Sequence, residues 1–166
     1  MHRWFNEPRA TRWLMERRDS FSYKDADDWT RRAVEGADED RKFAILVRGR
    51  EQPVGFTALY GLFRQTAPEL GILVADRSSV AHVGRIAEAM TIAAAFRDFG
   101  AHKLYGRIPS RNRAAKWVVE SLGWRREAIM RGHLLQDDST TEDLELWGVS
   151  PEEFHAATAD LRAILD

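Results

Sequence analysis

One carboxylate in this 166-residue chain stands where it could take up a proton during a reaction. Glu69 begins the segment Pro68–Asp76, which carries Leu70, Ile72 and Val74 and is typical of a strand. Partial burial beside these apolar side chains suits a carboxylate that acts as a general base. The alternative is a carboxylate at the edge of the sheet that pairs with one of the many arginines. The sequence favours neither interpretation over the other.

The stretch VAHVGRIAEAM, residues 80–90, lies between that strand and a helix and could bind a phosphate group. Gly84 would allow backbone N–H groups to approach an anion closely, and the start of a helix adds a favourable dipole. Phosphate loops usually carry two or three glycines, however, and this stretch has only one. The alternative is a simple helix start, with Gly84 in a turn and Ile86 in the core.

The composition is that of an ordinary soluble protein, with 44% apolar and 31% charged residues. A net charge of -1 gives no reason to expect a nucleic-acid or acidic-membrane partner. Without cysteine there can be no disulfide or zinc–thiolate site, and the five histidines form no metal-binding pair, so no metal is expected. No apolar run approaches the roughly 20 residues that span a bilayer, and the N-terminus lacks a signal-peptide core. A cytoplasmic location is therefore the default.

The hydrophobic spacing predicts one domain over residues 1–166, with elements in the order α-α-β-β-β-α-β-α-β-β-α. The two opening helices occupy the first 36 residues, a long helix spans 83–99, and Ser150 caps a closing helix. The strand–helix–strand unit in the middle requires parallel pairing with a right-handed crossover, flanked by antiparallel hairpins. The prediction is a mixed, mostly antiparallel α/β sheet with helices around it. Strands are expected at 42–49, 53–62, 68–76, 103–108, 126–135 and 142–149.

Four segments, in order along nearly the whole chain, resemble the GNAT (Gcn5-related N-acetyltransferase) superfamily. RWFNEPRATRWL with FSYKDADDW, and PVGFTALY with PELGILVAD, resemble the branch that acetylates ribosomal-protein N-termini and amino sugars. SRNRAAKWVVESLGWRREAIMRGHL resembles the family's N…A…eklGF…EG…R segment, and TTEDLELWGVSPEEF resembles its closing D…y.l…eEF segment. The resemblance implies the acyl-CoA N-acyltransferase fold. Relatives normally open with a strand before the first helix, so either that strand is absent here or the start of the chain was set late, and the sheet edge exposed in this way would favour a homodimer or a compensating segment.

The resemblance implies an acetyl-CoA-dependent N-acetyltransferase that transfers an acetyl group by direct attack in a ternary complex. The acceptor would be a primary amine on a protein N-terminus, an amino sugar, an antibiotic or a small metabolite. The alternative is a catalytically impaired module of the same fold that binds or regulates.

The family's phosphate pattern, Arg/Gln-x-x-Gly-x-Gly/Ala, indicates which residues would bind acetyl-CoA. Aligned on residues 80–90, it places Ala81, Gly84 and Ile86 at its three defined positions, while Arg85 and Arg77 would add positive charge. Backbone groups of the third strand would hold the pantetheine arm, and the motif asparagine would bind the arm or a water. The resulting set is Leu73, Val74, Ala75, His82, Val83, Gly84, Arg85, Ile86, Ala87 and Asn112.

The resemblance also indicates the proton-transfer groups. Glu69 matches a glutamate that commonly serves as the general base of that branch, directly or through water. The usual general acid is missing, because Val119 and Ala115 stand where relatives carry a tyrosine or a serine. Tyr105 on the neighbouring strand is the candidate in its place, with Tyr60 or solvent as the alternatives.

Overall fold

The computed structural model describes residues 2–13, 20–35, 40–62, 64, 66–75, 82–136 and 138–165. The helices are α1 (His2–Phe5), α2 (Pro8–Thr11), α3 (Tyr23–Glu35), α4 (Val83–Arg97), α5 (Arg113–Ser121), α6 (Pro151–Ala157) and α7 (Arg162–Leu165). The strands are β1 (Arg41–Ile45), β2 (Gly55–Tyr60), β3 (Glu69–Val74), β4 (Leu104–Pro109), β5 (Arg125–Leu135) and β6 (Thr141–Val149). A 3₁₀ turn, Ala159–Leu161, lies between α6 and α7.

Two helices begin with reciprocal caps that the sequence pattern predicts. Ser150 accepts a hydrogen bond from the N–H of Glu153, whose side chain accepts one from the N–H of Ser150. Ser22, just before α3, and Asp25, in its first turn, form the same pair of bonds at 3.1 and 2.8 Å. Each of these reciprocal caps satisfies two N–H groups that the first helical turn leaves without partners, which fixes where the helix begins.

The six strands form one sheet in the order β1-β2-β3-β4-β6-β5, which confirms the predicted mixed, mostly antiparallel fold. Strands β1 to β3 form one antiparallel half, and β4, β6 and β5 form the other. The halves meet through the parallel pair β3 and β4, whose register contains the single bridge Glu69↔Tyr105. Beyond that bridge the two strands diverge toward their carboxyl ends.

The sheet has two differently covered faces. The hydroxyls of Thr57 on β2 and Thr91 on α4 lie 2.7 Å apart, so α4 covers the face to which Thr57 points. Because side chains alternate along a strand, Phe56 and Tyr60 point to the opposite face, where α1 and α3 pack. Opposed residues of β2 and β3 share a face, which puts Leu73 with Phe56 and Glu69 with Tyr60. We call this second face the acceptor face.

Helix α4 buries a different side from the predicted one. Apolar residues at helical spacing, Val83, Ile86, Met90, Ala93 and Phe96, predict that Met90 points inward, yet Met90 is 52% exposed, and the buried side chains are Glu88, Ala89, Thr91, Ile92 and Ala95. The reason is composition: alanines lie on every side of this helix, so apolar spacing does not distinguish its faces. The helical position of Trp117 likewise predicts a core residue, yet Trp117 is 53% exposed.

The opening of the chain is helical, as predicted, but it contains three helices where the sequence predicts two. Within 2–13 and 20–35 these are α1, α2 and α3, and no strand precedes β1 in those ranges. Part of the predicted first helix, residues 14–18, and the predicted helix stop Gly36 lie outside the described residues.

Candidate functional site

A cleft of about 1050 Å³ opens where β3 and β4 diverge. Its walls come from the acceptor face, from both diverging strands, and from the first turns of α4 and α5. Both helices follow the carboxyl ends of the parallel strands, so their N-termini face the same opening. In sheets with parallel strands this is the place where ligands bind.

Glu69 lines the cleft and is ion-paired with an arginine, as one sequence interpretation expects, while its role as a general base stays a prediction. Arg107 Nε donates to its Oε1 at 2.8 Å and Arg107 Nη2 to its Oε2 at 2.9 Å. The Tyr105 hydroxyl donates to Oε2 at 3.3 Å. The Glu69 side chain is 15% exposed. These three bonds hold the carboxylate in one position on the acceptor face.

Tyr105 does not line the cleft, whereas a general acid would have to reach the leaving group there. Its side chain borders a smaller pocket of about 210 Å³ and is not among the residues that line the cleft. Its hydroxyl is directed to Glu69, and burial, followed by the charge of Glu69, raises the pKa of Tyr105 above its usual value. A tyrosine with a raised pKa releases its proton less readily. The geometry therefore favours a role in holding Glu69.

The divergence of β3 and β4 leaves backbone groups on the inner edge of β3. Ala75 donates its N–H to the Val54 carbonyl at 2.9 Å and does not line the cleft. Because hydrogen bonding alternates along an antiparallel pair, Leu73 also directs its backbone groups toward β2, whereas Ile72 and Val74 direct theirs toward the opening. Of the three predicted residues, only Val74 directs its backbone groups toward the opening. Ile72, which is not in the predicted set, directs its groups the same way.

The first turn of α4 presents unpaired N–H groups to the cleft. The first bond of the helix runs from the Ile86 N–H to the His82 carbonyl, at 3.0 Å, so the N–H groups of Val83, Gly84 and Arg85 have no partner within the helix. All four residues from His82 to Arg85 line the cleft. No acidic side chain stands in this turn, so its dipole favours an anion. Ile86 and Ala87 lie in the following turn and do not line the cleft.

Arg85 is already engaged by the C-terminal part of the chain. Its Nη1 and Nη2 donate to the two carboxylate oxygens of Asp160 at 3.0 and 3.3 Å, and its Nε donates to Ser121 Oγ at 3.1 Å. These hydrogen bonds hold the pKa of Asp160 below its usual range. Because Ser121 and Asp160 already bind the guanidinium, Arg85 is less able to bind a phosphate than the sequence predicts.

Sequence reasoning missed Glu88, a second carboxyl group that lines the cleft. It lies on the buried side of α4, only 3% exposed, and makes no hydrogen bond or ion pair with any described residue. Burial alone raises its pKa to about 8. A signal was present in the sequence, since Glu88 stands between Ala87 and Ala89 in an otherwise apolar stretch.

A family model described as "Acetyltransferase (GNAT) domain" matches residues 1–125. The chain belongs to the GNAT acetyltransferases. The predicted family is thereby confirmed, while its N-terminal and amino-sugar branch stays a prediction. No curated protein matches the sequence.

Solved structures of GNAT proteins share the fold. The spermidine N-acetyltransferase from Vibrio cholerae, in complex with CoA and spermine, matches with a TM-score of 0.79 at 14% identity, covering 92% of this chain and 89% of that one. A GNAT-family acetyltransferase from Bacillus anthracis matches with a TM-score of 0.76 at 16% identity, covering 92% and 87%.

The backbone bears on how the GNAT phosphate pattern is aligned with this chain. His82 has a φ of +63°, in the left-handed region that favours glycine, whereas Ile86 lies within the helix. These angles favour His82 and Gly84 for the two glycine positions over the predicted Gly84 and Ile86, and both alignments stay predictions. A Cβ added at Gly84 would meet only Val74 Cγ2, at 3.7 Å, so the protein itself leaves room there. The predicted roles of Ala81 and Arg77 fall outside the described residues.

Two further positions of the GNAT motif line the cleft. Asn112 caps α5, with its Oδ1 accepting from the Ala115 N–H at 3.2 Å, which leaves the amide nitrogen to meet a ligand. Val119 is 6% exposed and lines the cleft where many relatives carry a tyrosine, so that wall offers no hydroxyl.

Within the described part of the chain, no group of three or more histidine or acidic side chains could hold a metal ion. No helix in the same part is long and apolar enough to cross a membrane.

Proposed function

We propose that this protein is an acetyl-CoA-dependent N-acetyltransferase that acts on the primary amine of a small molecule or a peptide N-terminus. The observation that carries the proposal is a single cleft that joins two kinds of surface. One is an anion-binding helix start beside diverging strands, and the other is the acceptor face with its fixed carboxylate. Membership of the GNAT family supports the acyl donor and the reaction class.

Each part of the cleft fits one part of acetyl-CoA. The N–H groups of Val83, Gly84 and Arg85 suit a pyrophosphate, as helix N-termini generally do. The inward backbone groups of Ile72 and Val74 suit the amides of a pantetheine arm. The amide nitrogen of Asn112, at the start of α5, also lines the cleft and suits an acceptor group of the same arm.

The reaction requires an uncharged amine and a stabilised leaving group. Glu69, directly or through a water, accepts the proton of the acceptor ammonium. The amine nitrogen then forms a bond to the carbonyl carbon while the carbon–sulfur bond breaks, the sulfur leaves as the thiolate of CoA, and the surplus proton on the new amide nitrogen passes to solvent. A thiol with a pKa near that of cysteine is a tolerable leaving group, so solvent suffices to return a proton to it.

A second function is favoured by three observations: His82 replaces a glycine, Asp160 engages Arg85, and Val119 offers no hydroxyl. Together they would suit a GNAT-fold module that binds an acyl-CoA without turning it over. The single domain, the cytoplasmic location and the homodimer stay predictions from the sequence.

The test is a calorimetric titration with acetyl-CoA, with S-acetylpantetheine, which lacks the pyrophosphate, as the control ligand. We expect micromolar binding of acetyl-CoA and much weaker binding of the control. Release of free thiol in the presence of an amine panel then separates the enzyme from the binding module. No binding of acetyl-CoA at millimolar concentration would refute both functions.

Gly84→Asp tests whether the helix start binds the pyrophosphate. An acidic residue in a first helical turn is tolerated or stabilising, and the space at Gly84 accommodates it, but its charge repels phosphate. We expect acetyl-CoA binding to weaken by about tenfold or more, since a unit charge close to an anion costs over 1 kcal/mol. Tyr23→Asp places the same charge at the exposed start of α3 and serves as the matched control.

A further inference from the structure

The acceptor face of the cleft carries a continuous group of aromatic side chains, which we call the aromatic wall: Phe5, Phe21, Trp29 and Phe56. Phe5 stacks on Phe21 with ring centroids 4.5 Å apart, and Trp29 meets Phe56 edge-on at 5.0 Å. Phe5 lies 6.1 Å from both Trp29 and Phe56, so the four rings form one cluster, in which Phe21 and Phe56 are buried and Phe5 and Trp29 are partly exposed. All four line the cleft, and they come from α1, the segment before α3, α3 itself and β2.

The charges around this wall do not suit an acceptor with several ammonium groups. Glu69 and Glu88 are the carboxylates among the described residues that line the cleft. Glu69 is neutralised by Arg107, and Glu88 lies on the other side of the sheet, where burial keeps its carboxyl protonated at neutral pH. The described residues of the cleft therefore offer an acceptor such as spermidine no surplus of negative charge.

The ammonium of Lys42 already lies over the Trp29 ring, which is where the aromatic wall would bind a cation. The ammonium of Lys42 lies 5.2 Å from the centroid of the Trp29 ring, and its side chain is 16% exposed. It also lies 3.9 Å from a carboxylate oxygen of Asp40. Lys42 therefore repels a second cation near Trp29, and the partly exposed rings of Phe5 and Trp29 are the part of the aromatic wall that a flat apolar group would contact.

We propose that the acceptor is a monoamine attached to a flat apolar, preferably aromatic, group that packs on the aromatic wall, with its amine directed to Glu69. Aromatic side chains favour such partners because ring-on-ring contact adds to the burial of apolar area. This substrate class rests on the proposed function, and it separates the protein from the spermidine acetyltransferase whose fold it shares.

The test measures binding of 2-phenylethylamine, n-butylamine and spermidine by calorimetry, with and without saturating CoA. We expect 2-phenylethylamine to bind about tenfold or more tightly than either of the others, because only it buries a ring. Equal or tighter binding of spermidine, or no binding of any of the three, would overturn the substrate class. Failure of turnover alone would refute the proposed enzyme and leave this comparison of affinities intact.

Trp29→Leu tests whether the wall causes the preference, and Tyr23→Leu on the same helix is its control, since Tyr23 is 79% exposed and does not line the cleft. We expect the affinity of Trp29→Leu for 2-phenylethylamine to fall about tenfold with little change for n-butylamine. If Trp29→Leu does not fold, Phe5→Leu at the partly exposed start of the chain replaces it. An unchanged preference in the variant that folds would overturn the assignment.

Discussion

Glu69 and Glu88 line one cleft from opposite faces of the sheet, and their surroundings differ in every respect that governs a carboxyl group. Glu69 accepts three hydrogen bonds from Arg107 and Tyr105 on β4, at 2.8 to 3.3 Å. Glu88, on α4, has no such partner among the described residues and is almost completely buried. One carboxyl is held in place by its partners, whereas the other avoids the cost of a buried charge by keeping its proton.

Glu69 and Glu88 represent two ways of placing a carboxyl group in a cleft, with hydrogen-bond partners and without them. A partnered carboxylate on the acceptor face can receive an amine without moving, which is what catalysis by preorganised groups requires. An unpartnered carboxyl in the α4 layer makes stability depend on pH and gives the site no fixed charge. The comparison therefore supports the chemistry proposed for Glu69 and indicates a pH-dependent cost at Glu88.

The largest expected effect comes from Glu69→Gln. The amide keeps the size of the side chain but cannot accept the proton of the acceptor ammonium. We expect kcat to fall about 1000-fold, equivalent to about 4 kcal/mol of barrier, with the Kd of acetyl-CoA within about twofold of the wild type. Steady-state thiol release and calorimetry measure the two quantities.

Glu120→Gln is the matched control for this prediction, because Glu120 is exposed on α5 and does not line the cleft. Equal turnover by Glu69→Gln and the control would remove Glu69 from the reaction. A parallel loss of acetyl-CoA binding would instead make Glu69 a structural group of the cleft.

The next effect concerns stability and comes from Glu88→Gln. The folded-state pKa of Glu88, about 8, lies above its ordinary value of 4.5, so its protonated form stabilises the fold fully below pH 4.5. This contribution is lost as the pH rises through about 8. Replacement by glutamine removes the dependence. We expect the variant to gain about 4 kcal/mol over the wild type between pH 5 and pH 9.

Urea unfolding at pH 5, 7 and 9 gives this difference directly, and the value at pH 5 separates the effect of the amide itself. Glu120→Gln again provides the comparison for a glutamate in solvent. A difference between Glu88→Gln and the wild type that does not change with pH would mean that Glu88 has a partner that keeps it charged.

The fold and the position of Glu69 were predictable from the sequence. Strand spacing and the place of Glu69 at the start of an apolar strand indicated both the fold and one cleft carboxylate. The role of Glu88 could not be predicted in the same way, because the alanines of α4 leave its buried face undefined. The partners of Glu69 also come from β4, about 36 to 38 positions away, and only the parallel pairing brings them together.

The phosphate loop shows a second limit of sequence reasoning. Spacing alone admits Gly84 as either glycine of the pattern, and the choice depends on a backbone angle at His82 that no residue type reveals. The engagement of Arg85 by Asp160 joins groups 75 positions apart and is equally invisible before the chain folds.

The smallest effect extends the comparison to a buried group that cannot titrate. The indole nitrogen of Trp124 is buried without a hydrogen-bond partner among the described residues, and the ring lines the cleft. An unsatisfied buried donor costs about 1 to 3 kcal/mol, and Trp124→Phe removes it at the expense of some apolar contact. We expect the two effects nearly to cancel, within about 1 kcal/mol of the wild type. The difference should also be the same at pH 5, 7 and 9, because neither ring changes its charge. The same urea series measures it, and a loss above about 3 kcal/mol would show that the indole nitrogen makes a stabilising bond in solution.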